Sequence, residues 1–148
     1  MYVIDAIFKK FNEVTLYDVL GEIGVYVFWG YGEKRPLWIG EGDLMTRLGA
    51  GSYFSSWTNG YVTVFNSGSL NQNKRDSEIV EHALLSYSKK KCIFPTKNKK
   101  LGKQKSVNKI IKYYGKIRIN IRHRNPLKPP SGYNKLIETL VLDLEPEK

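Results

Sequence analysis

The chain has 148 residues, with 24 lysines and arginines against 14 aspartates and glutamates, a formal net charge of +10 and a pI near 9.6. That length amounts to one domain, or a small domain with an extension, and it suffices to bury a core without disulfide or metal staples. The positive surplus points to a polyanionic partner, nucleic acid ahead of an anionic membrane surface. Cys92 is the only cysteine, which excludes an intramolecular disulfide and fits a reducing compartment. No apolar run reaches the length of a bilayer-spanning helix, and the stretch around Asp5 and Glu13 has no targeting pattern, so the expected location is cytoplasmic.

Ile4, Ile7, Phe8, Phe11 and Val14 recur at helical spacing, which predicts a short amphipathic helix over residues 2–14, with a strand as the alternative. Leu16–Ile23 reads as a linker. Gly24–Gly30 and Pro36–Gly40 are short apolar runs flanking the polar Tyr31–Arg35, the pattern of a β-hairpin. Helix formers follow at Leu44–Leu48, with Asp43 placed to cap them and Gly49-Ala50-Gly51-Ser52 placed to end them in a left-handed turn. Tyr61–Phe65 is rich in β-branched and aromatic residues, starts just after Asn59-Gly60, and predicts a third strand. Residues 66–73 are small and polar and read as a surface loop. A helix is expected over residues 76–90, capped by Asp76 or Ser77. Ile79, Val80, Ala83, Leu84 and Tyr87 form its apolar stripe, and Lys89, Lys90 and Lys91 complement its dipole. His82 reads as a surface histidine.

Residues 89–128 contain fifteen lysines and arginines and no aspartate or glutamate. Solvated faces normally mix signs, so this stretch suits contact with a phosphate backbone better than simple hydration. Val107, Ile110, Ile111 and Tyr114 predict a short amphipathic helix. Ile117, Ile119 and Ile121 alternate with Arg118, Asn120 and Arg122, which predicts a strand with one basic face, extended by His123 and Arg124. The expected nucleic-acid contacts are Lys89, Lys90, Lys91, Lys112, Arg118, Arg122 and Arg124, with interleaved tyrosines suited to base stacking. Asn125–Gly132 is a loop. Leu136, Ile137, Leu140, Val141 and Leu144 fit a helical stripe, and the acids Glu138, Asp143, Glu145 and Glu147 are placed to pair with the basic region.

Gly24-Val25-Tyr26, Trp38-Ile39-Gly40 and Arg47, in that order, resemble the signature of the GIY-YIG nuclease family. Trp38 stands where a tyrosine is usual, and Glu41 where some members carry a lysine. The family also places a glutamate on a helix after the third strand, with apolar residues three and four positions later. Glu81 satisfies this with Leu84 and Leu85. Tyr53 is the nearest candidate for the histidine or tyrosine that follows the arginine in some members, and Asn98, after Pro95, for the family's asparagine. The resemblance spans residues 22–98.

The resemblance implies an α/β (α+β) fold, a small three-stranded antiparallel sheet flanked by helices. The nuclease core would cover residues 1–98, including the N-terminal helix, with a basic extension over residues 99–148 packed on it. It further implies a metal-dependent DNA endonuclease. Tyr26 would act as general base, Arg47 would bind the scissile phosphate and Glu81 would hold Mg²⁺ or Mn²⁺, with Trp38, Tyr53 and Asn98 completing the site. Duplex DNA is the expected partner. A catalytically impaired nucleic-acid-binding module on the same fold is the alternative, and a basic structural protein a third possibility. Indole donates one hydrogen bond and accepts none, so Trp38 cannot relay protons as a tyrosine would. The preferred reading is that Trp38 packs against Tyr26.

Overall fold

A computed structural model describes residues 1–11, 16–49, 61–69, 74–130 and 140–146. The elements in chain order are β1 (Tyr2–Ile7), β2 (Lys9–Lys10), a 3-10 turn (Leu16–Val19), β3 (Glu22–Trp29), β4 (Trp38–Asp43), α1 (Leu44–Leu48), β5 (Tyr61–Ser69), α2 (Lys74–Lys90), α3 (Gln104–Tyr114), β6 (Ile117–Arg122) and β7 (Leu140–Leu144). Among the described residues, β2, β5, β3 and β4 form an antiparallel sheet in that order. A second sheet has the order β1, β6, β7, with β1 and β6 parallel and β6 and β7 antiparallel. The architecture is therefore mixed α/β with two sheets. The expected three strands are present in the first sheet, and β2 adds a fourth.

β3 holds the molecule together because both of its faces are apolar. Successive residues of a strand point to opposite sides. Val25, Val27 and Trp29 pack with Ile79, Val80, Ala83, Leu84 and Leu85 of α2. Tyr26 and Phe28 pack on the other side with Leu44 and Leu48 of α1 and with Val62 and Val64 of β5. α1 forms as expected, with the Asp43 carboxylate accepting from the backbone N–H groups of Met45 at 3.1 Å and Thr46 at 3.5 Å. The helix ends at Gly49, as expected; Gly49 has φ −78° and its N–H bonds to the Met45 carbonyl at 2.9 Å, while Ala50, Gly51 and Ser52 lie outside the described residues. α2 begins at Lys74, so Asp76 lies in its first turn and Ser77 inside it, where neither serves as cap.

The N-terminal segment is a strand, not a helix. In β1, Ile4 and Ala6 are buried while Val3, Asp5 and Ile7 are exposed, a period of two. Its register against β6, from Tyr2 opposite Ile117 to Ile7 opposite Arg122, supplies the backbone pairing that overrides the helical spacing. The C-terminal tail is likewise a strand over Leu140–Leu144 on the other edge of β6, with Leu142 buried, while Leu136 and Ile137 lie outside the described residues. β5 continues through Ser69, so residues 66–69 are strand rather than loop, with a register shift opposite Ile23 and Gly24.

Residues beyond 99 share the main core. Ile117, Ile119 and Ile121 of β6 are completely buried in one cluster with β1, β3 and α2. The Trp29 indole N–H donates to the Pro126 carbonyl at 2.9 Å. No described helix is long and apolar enough to cross a membrane. Removing three carbons at the centre of this cluster, Ile119→Ala, should cost about 2–5 kcal/mol. Urea unfolding monitored by tryptophan fluorescence should show one transition shifted to lower denaturant. A variant whose β3–α2 transition stayed in place would mean that β6 does not share that core.

Candidate active site

Among the described residues β4 is an edge strand, with no neighbouring strand on its outer side. At Ile39 a side chain takes that role. The Asn98 amide accepts from the Ile39 N–H at 2.8 Å and donates to the Ile39 carbonyl at 2.9 Å. The Lys97 N–H bonds to the Leu37 carbonyl at 2.9 Å and the Thr96 N–H to the Pro36 carbonyl at 3.1 Å. The loop after α2 is thus fastened along the first half of β4. Beside it opens a cleft of about 710 Å³, lined by Tyr26, Trp38, Gly40, Glu41, Arg47, Glu81, Asn98 and residues of the 97–103 loop.

The cleft brings together side chains from both faces of the sheet. Glu41 is opposite Val25 in the register and so lies on the α2 side. Its Oε2 accepts from the Ser77 hydroxyl at 2.9 Å. Tyr26 is opposite Gly40 and lies on the other side. A Cβ at Gly40 would collide with the Tyr26 hydroxyl and with the Trp38 indole nitrogen. The missing side chain is what lets the Tyr26 ring lie across β4 and reach the edge. The Trp38 indole N–H then donates to the Tyr26 oxygen. Burial pushes the Tyr26 hydroxyl above the ordinary tyrosine range. The Trp38 hydrogen bond and the Arg47 charge pull it back, while Glu81 and Glu41 raise it. Trp38 therefore packs on Tyr26, as preferred from the sequence, and also favours its phenolate.

Arg47 sits exposed in the last turn of α1 and lines the cleft. Glu81 enters from α2, half-buried. Its Oε1 lies so close to Gly102 that a Cβ there would collide with it, and Gly102 has φ +72°, a conformation that disfavours any other residue. The Glu81 carboxyl is pushed up to about 8, first by burial and then by the Glu41 charge; Lys103 and Arg47 act in the opposite direction. The neighbouring His82 is buried, not at the surface as expected, with its Nδ1 2.6 Å from the Leu101 carbonyl. The loop carrying Leu101 and Gly102 folds over this part of α2 and covers the ring.

Of the expected site residues, Tyr26, Trp38, Arg47, Glu81 and Asn98 meet in the cleft, and Tyr53 lies outside the described residues. The two halves of the Asn98 amide hold Ile39, which makes it a positioning residue. The expected nucleic-acid contacts do not line the cleft. Lys89, Lys90, Lys91 and Lys112 are exposed elsewhere, with Lys91 5.6 Å above the Tyr87 ring. Arg118 forms a two-pronged pair with Asp143 at 2.9 and 3.2 Å, Arg122 pairs with Asp5 at 3.5 Å, and Arg124 stacks on Tyr61 at 4.5 Å. Lys116 pairs with Asp143 and Glu145, as expected for those acids, and Glu138 and Glu147 lie outside the described residues. Ser77 was expected only as a helix cap and the lysines of the 97–103 loop only as part of the basic stretch 89–128, neither as parts of the cleft, and Gly102 had no expected role; a glycine set among lysines, in Lys100-Leu101-Gly102-Lys103, was the available signal.

Among the described residues no group of three or more His, Cys, Asp or Glu side chains is suited to hold a metal ion. The oxygen donors present are Glu81 with Glu41 beside it, a set that fits a hard divalent cation retaining water and phosphate ligands. Comparison with protein-family models, with curated proteins and with solved structures finds no match to the chain.

Glu81 is the group whose titration the fold should feel. Its carboxyl moves from an ordinary value of 4.5 up to about 8 on folding. The stability that goes with the protonated form is complete below pH 4.5 and is lost as pH rises through about 8. Melting temperatures of the metal-free protein should decline across that window, and Glu81→Gln should flatten the decline. An identical decline in Glu81→Gln would assign the titration to another group.

Proposed function

We propose that the chain is a metal-dependent endonuclease of GIY-YIG type that hydrolyses phosphodiester bonds in DNA. The observation that supports it is the meeting of Tyr26, Trp38, Arg47, Glu81 and Asn98 in one cleft, from β3, β4, α1, α2 and the loop after α2. In this reading Tyr26, as phenolate, takes a proton from the attacking water. Arg47 forks onto a non-bridging phosphate oxygen, a geometry lysine does not provide. The water oxygen bonds to phosphorus as the bond to the 3′ oxygen breaks, and solvent protonates the departing oxygen. Glu81 would hold Mg²⁺ or Mn²⁺, with Glu41 lining the same cleft. Such a cation, when bound, supplies positive charge for the phosphate and the departing oxygen. Trp38 contributes by holding the Tyr26 oxygen with a donor, which an ordinary tyrosine base at neutral pH lacks.

Glu41 favours a second reading, a binding module without catalysis. Its carboxylate raises the proton affinity of Glu81, and two acids at the base of the cleft repel phosphate when no cation is present. Duplex binding without any nicking of supercoiled plasmid in Mg²⁺ or Mn²⁺ would select that reading.

For the nuclease, Glu81→Gln should abolish nicking while keeping the fold, its melting temperature at neutral pH no lower than that of the wild type. Arg47→Ala and Tyr26→Phe should each lower the rate by about 100-fold or more. Full activity of Glu81→Gln in Mg²⁺ would remove it from the metal site. Trp38→Phe deletes a hydrogen bond to a charged oxygen, worth about 1.5–3 kcal/mol, so the rate at neutral pH should drop roughly 10- to 100-fold. The pH–rate profile should move to higher pH, because Tyr26 loses a contact that lowers its proton affinity. A uniform drop with no displacement would reduce Trp38 to a packing role.

A further inference from the structure

The 97–103 loop carries Lys97, Lys99, Lys100 and Lys103 on the rim of the cleft. The same loop is fixed at both ends. Residues 96–98 are hydrogen-bonded along Pro36, Leu37 and Ile39, and Leu101 accepts from buried His82. We propose that this lysine rim is the surface that receives the backbone phosphates of duplex DNA on either side of the bond presented to Tyr26 and Arg47. The inference rests on the nuclease reading for the position of that bond, and on the rim itself for the affinity.

Three features carry it. Lys99, Lys100 and Lys103 are exposed, and among the described residues none of them is in an ion pair, whereas Arg118, Arg122 and Lys116 are held by Asp143, Asp5 and Glu145. A charge already matched by a carboxylate releases few counterions on meeting a phosphate; an unmatched lysine releases its full share. The rim is anchored at both ends before any ligand arrives, so little backbone freedom is lost on binding. Finally, the four lysines border the same opening as Arg47, so a strand lying along the loop passes over the cleft without a turn.

The test is anisotropy of a short labelled DNA duplex against sodium chloride concentration, with Ca²⁺ in place of Mg²⁺ so that binding is read without turnover. Lys99→Gln, Lys100→Gln and Lys103→Gln combined should flatten the slope of log K against log salt by about 2–3. A matched loss of charge at exposed residues that do not line the cleft, Lys9→Gln, Lys34→Gln and Arg35→Gln, should change the slope by less than about 1. A wild-type slope in the rim variant, or an equal loss in the matched variant, overturns the rim. So does wild-type protein that shows no salt-dependent binding of duplex. Plasmid nicking by the wild type is scored separately. Nicking with an unaltered slope in the rim variant keeps the nuclease and removes the rim. No nicking with a flattened slope keeps the rim and removes the nuclease.

Discussion

The double hydrogen bond between the Asn98 amide and the backbone of Ile39 is the constraint on which the cleft depends. An edge strand leaves N–H and carbonyl groups facing outward, and proteins cover or block such edges. Here the cover is partial. Residues 96–98 lie along β4 as far as Ile39, and the strand continues past them through Gly40 and Glu41. The cleft opens where the cover stops. The same attachment obliges the chain to return over α2, which places Leu101 on His82 and Gly102 against Glu81. One side-chain amide thereby sets the distance between the two walls of the site.

The base of the cleft is electrostatically costly, and its surroundings show how the fold sustains it. Glu81 loses water on burial and faces the like charge of Glu41. Neither acid is left to find its own position. Ser77, completely buried four residues before Glu81, holds Glu41, and the backbone of Gly102 lies against Glu81. The apolar contacts of Val80, Leu84 and Leu85 on both sides of Glu81 keep the helix in place regardless of the charge state. A local conflict held in place by well-packed neighbours is more characteristic of a site than of a core. Tyr26 follows the same pattern, with its phenol buried and its oxygen met by an indole donor and a guanidinium charge.

The parts of the fold legible in the sequence were those whose signals are local. The hairpin, the Asp43 cap, the stripe of α2 and the isoleucines of β6 all state their period within a few residues. β1 and β7 were misread because six and five residues fit either period, and their state is decided by β6. Tyr2 pairs with Ile117 across most of the chain, a partner no local window contains. The burial of His82 has a similar origin in a loop nineteen residues later. Tyr26, Trp38, Arg47, Glu81 and Asn98 were recognisable as a set because their order along the chain resembles a known arrangement. Ser77 and Gly102 were not, since each acts by supporting a neighbour and has no chemistry of its own to announce.

The basic residues also divide into two groups that composition does not separate. Arg118 grips Asp143 with two nitrogens, a planar fit that suits arginine, and with Arg122 on Asp5 and Lys116 on Asp143 and Glu145 it stitches together the outer face of β1, β6 and β7. Those acids cancel much of the positive charge on that face. Beside the cleft, Lys99, Lys100 and Lys103 are in no ion pair among the described residues, and Glu41 and Glu81 lie at the base. Positive side chains therefore line the opening, with Glu41 and Glu81 beneath them. In the proposed reaction the acids would attract a cation and the rim a phosphate. Low-dielectric walls strengthen both attractions relative to the open surface.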